Sequence, residues 1–209
     1  MTINYSNLEK INIALESHEN TRLLIVSKKQ SIPDINNLIN NGYKLFGENR
    51  VQEAEEKYTN ILDKKDIHLH LIGPLQSNKV KNALKIFHTI QSIDRVKLVK
   101  EIQKYKNHLS LTKNFFIQVN IGMEEQKNGI LPNDTESFYN FCLNSDFPIE
   151  GLMCIPPNNE NSKLYFKQLL DLRNKINKNL KLSMGMSGDY EDALDFNTDI
   201  IRIGSKIFL

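Results

Sequence analysis

"RLLIVSKKQSIPDINNLINNGYKLFGE", residues 22 to 48, decides the fold. It opens on one apolar run, RLLIVS, and closes on another, YKLFGE, with IPDINNLINN at helical spacing between them. Near-continuous apolar strands separated by amphipathic helices indicate parallel strands covered by helices. The alternation carries on through IHLHLIG, TIQSI, NFFIQVNI, IEGLMCI, LKLSMGM and DIIRIGSKIF, with helical stretches such as VQEAEEKYTNIL, DRVKLVKEIQKY and SKLYFKQLLDLRNKI between them. Eight strands favour a closed (β/α)8 barrel of the TIM type over a doubly wound open sheet, which strand counting does not exclude. A further helix over about residues 5 to 17 precedes the first strand. No linker or low-complexity segment interrupts the pattern, so residues 1–209 read as one domain.

The composition narrows the partners. The chain has 209 residues, 40% hydrophobic and 25% charged, enough for a substantial core. Lysine and arginine number 27 against 25 acidic residues, and they are scattered, which argues against nucleic acid as a partner. No run of 18 apolar residues spans a membrane, and MTINYSNLEKINIALES lacks the apolar core and cleavage site of a secretion signal. Cys142 and Cys154 stand outside any CxxC spacing, as expected of a reduced, cytoplasmic protein.

In a barrel, chemistry gathers at the C-terminal rim, and the loops after strands seven and eight often hold a phosphate. Lys28 ends strand one on the face shared by Leu24 and Val26, so all three can point inward. An amine shielded from water deprotonates more easily and attacks aldehydes, such as that of pyridoxal 5'-phosphate (PLP). The bland reading is a lysine snorkelling to solvent. Ser187 and Gly188 precede a helical stretch, where Ser187 can cap and the backbone can face an anion. Arg202, Gly204 and Ser205 add a cation, a bare backbone and a hydroxyl; their alternative is a buried strand whose arginine pairs with a carboxylate. Glu48, Asn49, His70, Gly73, Asn120 and Met153 also fall near strand ends and would converge on the same mouth.

Other stretches carry less. GPLQSNK, residues 73 to 79, lacks the second glycine and the Ser or Thr of a Walker A loop, and more plausibly starts a helix. His68 and His70 share a strand face, but no third metal ligand stands at a persuasive spacing. Met184 and Met186 read as core filler, and EAEEK reads as a solvated helix face.

Taken together, VSK, FGENRVQE, HLIGPLQSNK, SIDR, IQVNIGMEEQKNGI, GLMCIPP, LSMGMSGDYEDAL and TDIIRIGSKIF run in order across most of the chain. In this the chain resembles the pyridoxal phosphate homeostasis proteins, the YggS/PROSC family. The resemblance implies a PLP-binding barrel like the N-terminal domain of alanine racemase. It implies that Lys28 forms the Schiff base and that Ser187, Arg202, Gly204 and Ser205 hold the phosphate. It places Asn49 near the ring and His70 in a segment lining the mouth. Two departures stand out: Leu69 where an aromatic residue is common, and Gln91 where a histidine is common.

The resulting expectation is a cytoplasmic PLP carrier in PLP homeostasis, with no second catalytic domain and no assigned catalytic residue. It would release its cofactor to amines or acceptor enzymes, and a small barrel points to a monomer. The rival readings are a PLP-dependent amino-acid racemase or lyase using the same lysine, and an unrelated barrel binding a sugar phosphate.

Overall fold

The computed structural model describes residues 2–62, 66–105, 111–158 and 160–208. A first helix, α1 (Tyr5–Glu16), leads into β1 (Arg22–Val26), α2 (Ile32–Asn40), β2 (Leu45–Glu48), α3 (Val51–Leu62) and β3 (His68–Leu71). A 3₁₀ turn (Ser77–Lys79) opens onto α4 (Val80–Ile86), β4 (Thr89–Ile93), α5 (Val96–Tyr105) and β5 (Asn114–Val119). Then come α6 (Pro132–Asn144), β6 (Gly151–Cys154), α7 (Ser162–Ile176), β7 (Lys181–Ser183), α8 (Tyr190–Leu194) and β8 (Ile200–Ile203). Each strand pairs in parallel with its neighbour in sequence, and β8 returns to β1, with Leu24 opposite Arg202. The expected (β/α)8 barrel with a leading helix is the fold.

Local signals set the element ends. The Ser31 hydroxyl accepts from the Asp34 N–H at 3.2 Å at the start of α2, and Pro33 sits in the first turn, where its missing N–H costs nothing. Gly42, at φ +91°, ends that helix in the left-handed conformation that glycine adopts without strain. No helix follows β8 among the described residues. Instead the start of α1 is fastened to that segment: Asn4 N–H donates to the Ile207 carbonyl at 2.7 Å, and Asn7 Nδ2 donates to that of Lys206 at 3.0 Å.

Two apolar layers explain why the strands read as unbroken hydrophobic runs. Inside the barrel, Leu24, Val26, Leu45, Phe116, Met153 and Ile200 pack together. The alternate residues, including Ile25, Phe46, Phe115, Leu152 and Ile201, face outward and join helix residues such as Ile35, Leu38, Phe138 and Phe166. The inner layer is so tight that a Cβ on Gly151 would lie 2.4 Å from both the Lys181 carbonyl oxygen and Phe116 Cε1. Gly151→Ala is therefore expected to destabilise the barrel by about 1–3 kcal/mol through overpacking, read as a lower urea midpoint at unchanged slope.

Candidate functional site

A cavity of about 380 Å³ opens at the C-terminal ends of the strands, within the size range of small-molecule sites. Val26, Ile72, Ile155 and Met186 supply its apolar wall. Its polar groups are Lys28 and Asn49 from the loops after β1 and β2, Ser187 and Gly188 after β7, and Arg202, Gly204 and Ser205 in and after β8. Seven of the eight residues expected from sequence to bind the ligand (Lys28, Asn49, His70, Ser187, Gly188, Arg202, Gly204 and Ser205) thus line one cavity, although they span positions 28 to 205.

The eighth, His70, does not line it. His70 is buried in the barrel, 2.8 Å through Nδ1 from Gln91 Nε2, while its neighbour His68 stacks on the His88 ring at 4.9 Å. Others also part from expectation. Asn120 is tied to its own loop, donating to the Glu124 carbonyl at 2.8 Å. Gly73 lies past β3, where a Cβ would stand 2.3 Å from the Asn49 carbonyl oxygen, so its bare backbone lets the two loops touch. Met184 is core, as expected, but Met186 lines the cavity.

Lys28 is exposed rather than shielded. Leu24 and Val26 do face the barrel interior, but β1 ends at Val26 and the lysine emerges at the open rim. Its backbone is nevertheless held on both sides by α3. Before it, the Ser27 carbonyl accepts from Lys57 Nζ at 2.8 Å, and the Ser27 hydroxyl donates to Glu48 Oε1 at 2.8 Å and lies 2.6 Å from the Tyr58 hydroxyl. After it, the Lys29 N–H donates to Glu53, and Lys29 takes a positive φ of 63°. Lys57 bridges the two carboxylates, 3.1 Å from Glu48 and 2.5 Å from Glu53. The stretch expected to be a solvated helix face thus supplies the clamp. Ala54 and Tyr58, four residues apart, are buried on the same helix, but nothing local in the sequence shows that Glu53 and Lys57 reach the strand ends.

Burial decides the electrostatics here. It pushes the Glu48 carboxyl above the usual carboxylate range, against the pull of Lys57 and Ser27. Burial also acts upward on Glu53, but hydrogen bonds from Lys57 and the Lys29 amide, with the Lys57 charge, bring it net below that range.

At the opposite wall the Ser187 hydroxyl accepts from the Gly204 and Lys206 N–H groups, both at 3.4 Å. Ser187 does not cap α8, whose N-cap is Asp189. Arg202 is 3% exposed, and its guanidinium donates to Ser183 Oγ at 2.9 Å and to the Cys154 carbonyl at 2.7 Å. Both acceptors are neutral, so the arginine does not take the carboxylate pairing that was its alternative reading. Asp189 acts on it electrostatically, but among the described residues no carboxylate forms a direct ion pair with it, and a buried cation so placed favours a ligand that brings negative charge or an acceptor atom.

Because its folded pKa is depressed, Glu53 contributes stability that is present above the unfolded value of about 4.3 and lost as the pH falls through the folded value. The Lys29 amide resonance should report this directly. It is expected to hold steady above about pH 4.3, to shift with a midpoint below that, and to lose the transition in Glu53→Gln.

Comparison with known proteins agrees with this geometry. Residues 5–209 match the family described as alanine racemase, N-terminal domain. A pyridoxal phosphate homeostasis protein of Aquifex aeolicus is 37% identical, over 96% of this chain and 93% of that protein. The solved structure of PipY from Synechococcus elongatus with PLP bound aligns at a TM-score of 0.83 and 28% identity, covering 98% of this chain and 99% of that one. Alanine racemase from Acinetobacter baumannii shares the fold at a TM-score of 0.76 and 16% identity, with this chain covering 61% of it. The chain belongs to the alanine racemase N-terminal domain family and, within it, to the pyridoxal phosphate homeostasis proteins.

Proposed function

We propose that this protein binds PLP in the cavity at the barrel mouth, holding it through a Schiff base on Lys28, and that it serves PLP homeostasis. One observation carries the reading: an amine on a clamped turn and a buried guanidinium whose hydrogen bonds go to neutral acceptors line the same small cavity, beside a turn of hydroxyls and backbone amides. The parts fit the cofactor's chemistry. Lys28 would supply the amine for the cofactor's aldehyde, a condensation that releases water. Ser187, Ser205 and the backbone at Gly204 offer hydrogen bonds to a phosphate, whose oxygens compete for the N–H groups that the Ser187 hydroxyl now accepts. Arg202 supplies positive charge deeper in the site, Asn49 a neutral polar contact at the opposite wall, and Ile72, Ile155 and Met186 an apolar face for the ring.

The lining also favours holding over turnover. Among the described residues lining the cavity, Lys28 and Arg202 carry the ionisable side chains, and no carboxylate or imidazole stands there to move a second proton. Racemisation needs proton exchange on both faces of a substrate carbon. We therefore read the protein as a cofactor carrier, acting in the cytoplasm and passing PLP to amines or acceptor enzymes. Incubation with L- and D-amino acids, followed on a chiral column, should show no interconversion; steady turnover would restore the racemase reading.

Borohydride treatment of the PLP-loaded protein should fix the cofactor to Lys28 and add its mass there; a site filled without any trapped adduct would favour a sugar phosphate or other non-covalent ligand. Lys28→Ala should lose both the adduct and the visible absorption band. Arg202→Ala should weaken PLP retention by roughly 10- to 100-fold, the usual worth of a hydrogen bond to a charged group, measured by dialysis and absorbance.

A further inference from the structure

A single file of hydrogen bonds crosses the barrel interior from the cavity's arginine to the opposite wall. Arg202 Nη1 donates to Ser183 Oγ at 2.9 Å, Ser183 Oγ donates to Gln91 Oε1 at 2.7 Å, and Gln91 Nε2 lies 2.8 Å from His70 Nδ1. All four side chains are buried, Ser183 and Gln91 completely. The residues come from the paired strands β8 and β7 and the paired strands β4 and β3, and the Ser183–Gln91 link joins these two pairs across the barrel.

Its direction follows from the arginine end when every donor finds its acceptor within the file. A guanidinium only donates, so Ser183 accepts from Arg202 and passes its own hydroxyl hydrogen to the Gln91 amide oxygen. That settles which end of the Gln91 amide is nitrogen, and the nitrogen must donate to His70 Nδ1. His70 is then neutral, with its proton on Nε2. Burial, reinforced by the positive charges of Arg22, His68, His88 and Lys181, holds the His70 pKa at about 3, in keeping with that neutral ring. A flipped Gln91 amide would place its nitrogen on Ser183 Oγ and its oxygen on a His70 Nδ1–H, and would leave the Ser183 hydroxyl hydrogen without its acceptor in the file.

We propose that Gln91 is a positioning residue: through Ser183 it fixes the orientation of Arg202 and so the aim of the buried cation on the ligand. The proposal rests on the reading of the cavity as a PLP site. An amide suits the task better than the histidine that the family resemblance leads one to expect here. It has a donor and an acceptor at every pH, whereas an imidazole would turn into a double donor on protonation and break the link to Ser183.

Two measurements test this. Without ligand, long-range ¹⁵N spectra of the protein should show His70 neutral with its proton on Nε2 from about pH 5 to pH 9, the ordinary range of histidine titration. In Gln91→Glu, whose carboxylate can only accept, His70 should carry a proton on Nδ1. With PLP, Gln91→Met and the milder Ser183→Ala should each weaken binding by about threefold to tenfold, the worth of one hydrogen bond. In an Arg202→Ala background the same substitutions should have no further effect, because the residues act through the arginine. A wild-type His70 protonated on Nδ1, or a Gln91 effect that persists undiminished without Arg202, overturns the proposal while the PLP reading stands. A wild-type protein that takes up no PLP overturns both.

Discussion

Closure of the parallel ladder is the constraint from which the rest follows. Eight short strands, from three to six residues long, leave no sheet edge once β8 pairs with β1. Each strand is buried against the barrel interior on one face and the helices on the other, so most of its side chains must be apolar. Polar chemistry is left to the strand ends and to the few interior positions where a polar group finds partners, and even there Glu48 Oε2 and Ser92 Oγ stay unpaired among the described residues. The cavity sits where these two allowances meet, with loop residues at its rim and Arg202 in its depth.

The interior polar groups divide into two assemblies with different tasks. Outside the ladder, Glu48, Glu53, Lys57, Tyr58 and Ser27 form a cluster that fastens the turn on either side of Lys28. Inside, Arg202, Ser183, Gln91 and His70 form a file with fixed polarity. Desolvating such groups is costly, and an apolar barrel would be easier to stabilise. The placement of both assemblies is what gives the cost a function. In the proposed reading, one holds the amine that would react and the other holds the cation that would meet the ligand. An exposed lysine on a pinned backbone combines access with a defined position, which a fully buried amine would not.

The sequence was most legible where periodicity carries the signal. RLLIVS, YKLFGE and the runs after them are apolar because both faces are buried, and their spacing gave the barrel. The site was legible to the extent that its residues sit at strand ends: Lys28, Asn49, Ser187, Gly188, Arg202, Gly204 and Ser205 all reach the cavity. It failed where distance along the barrel axis matters. His70 has the same inward direction as a rim residue but ends in the interior against Gln91. Ser187 stands just before a helix, yet its hydroxyl turns to the backbone after β8.

By itself the sequence determined the strand and helix order and the addresses of the rim residues, because those depend on hydrophobic period and chain order; it favoured a closed barrel, and the pairing of β8 with β1 decided it. Tertiary structure alone decided that Lys28 stays in solvent, that Glu53 and Lys57 grip its turn, and that Gln91 stands in line with Arg202. Those contacts join residues 19 to 92 positions apart, set by barrel shear and side-chain length rather than by any local spacing.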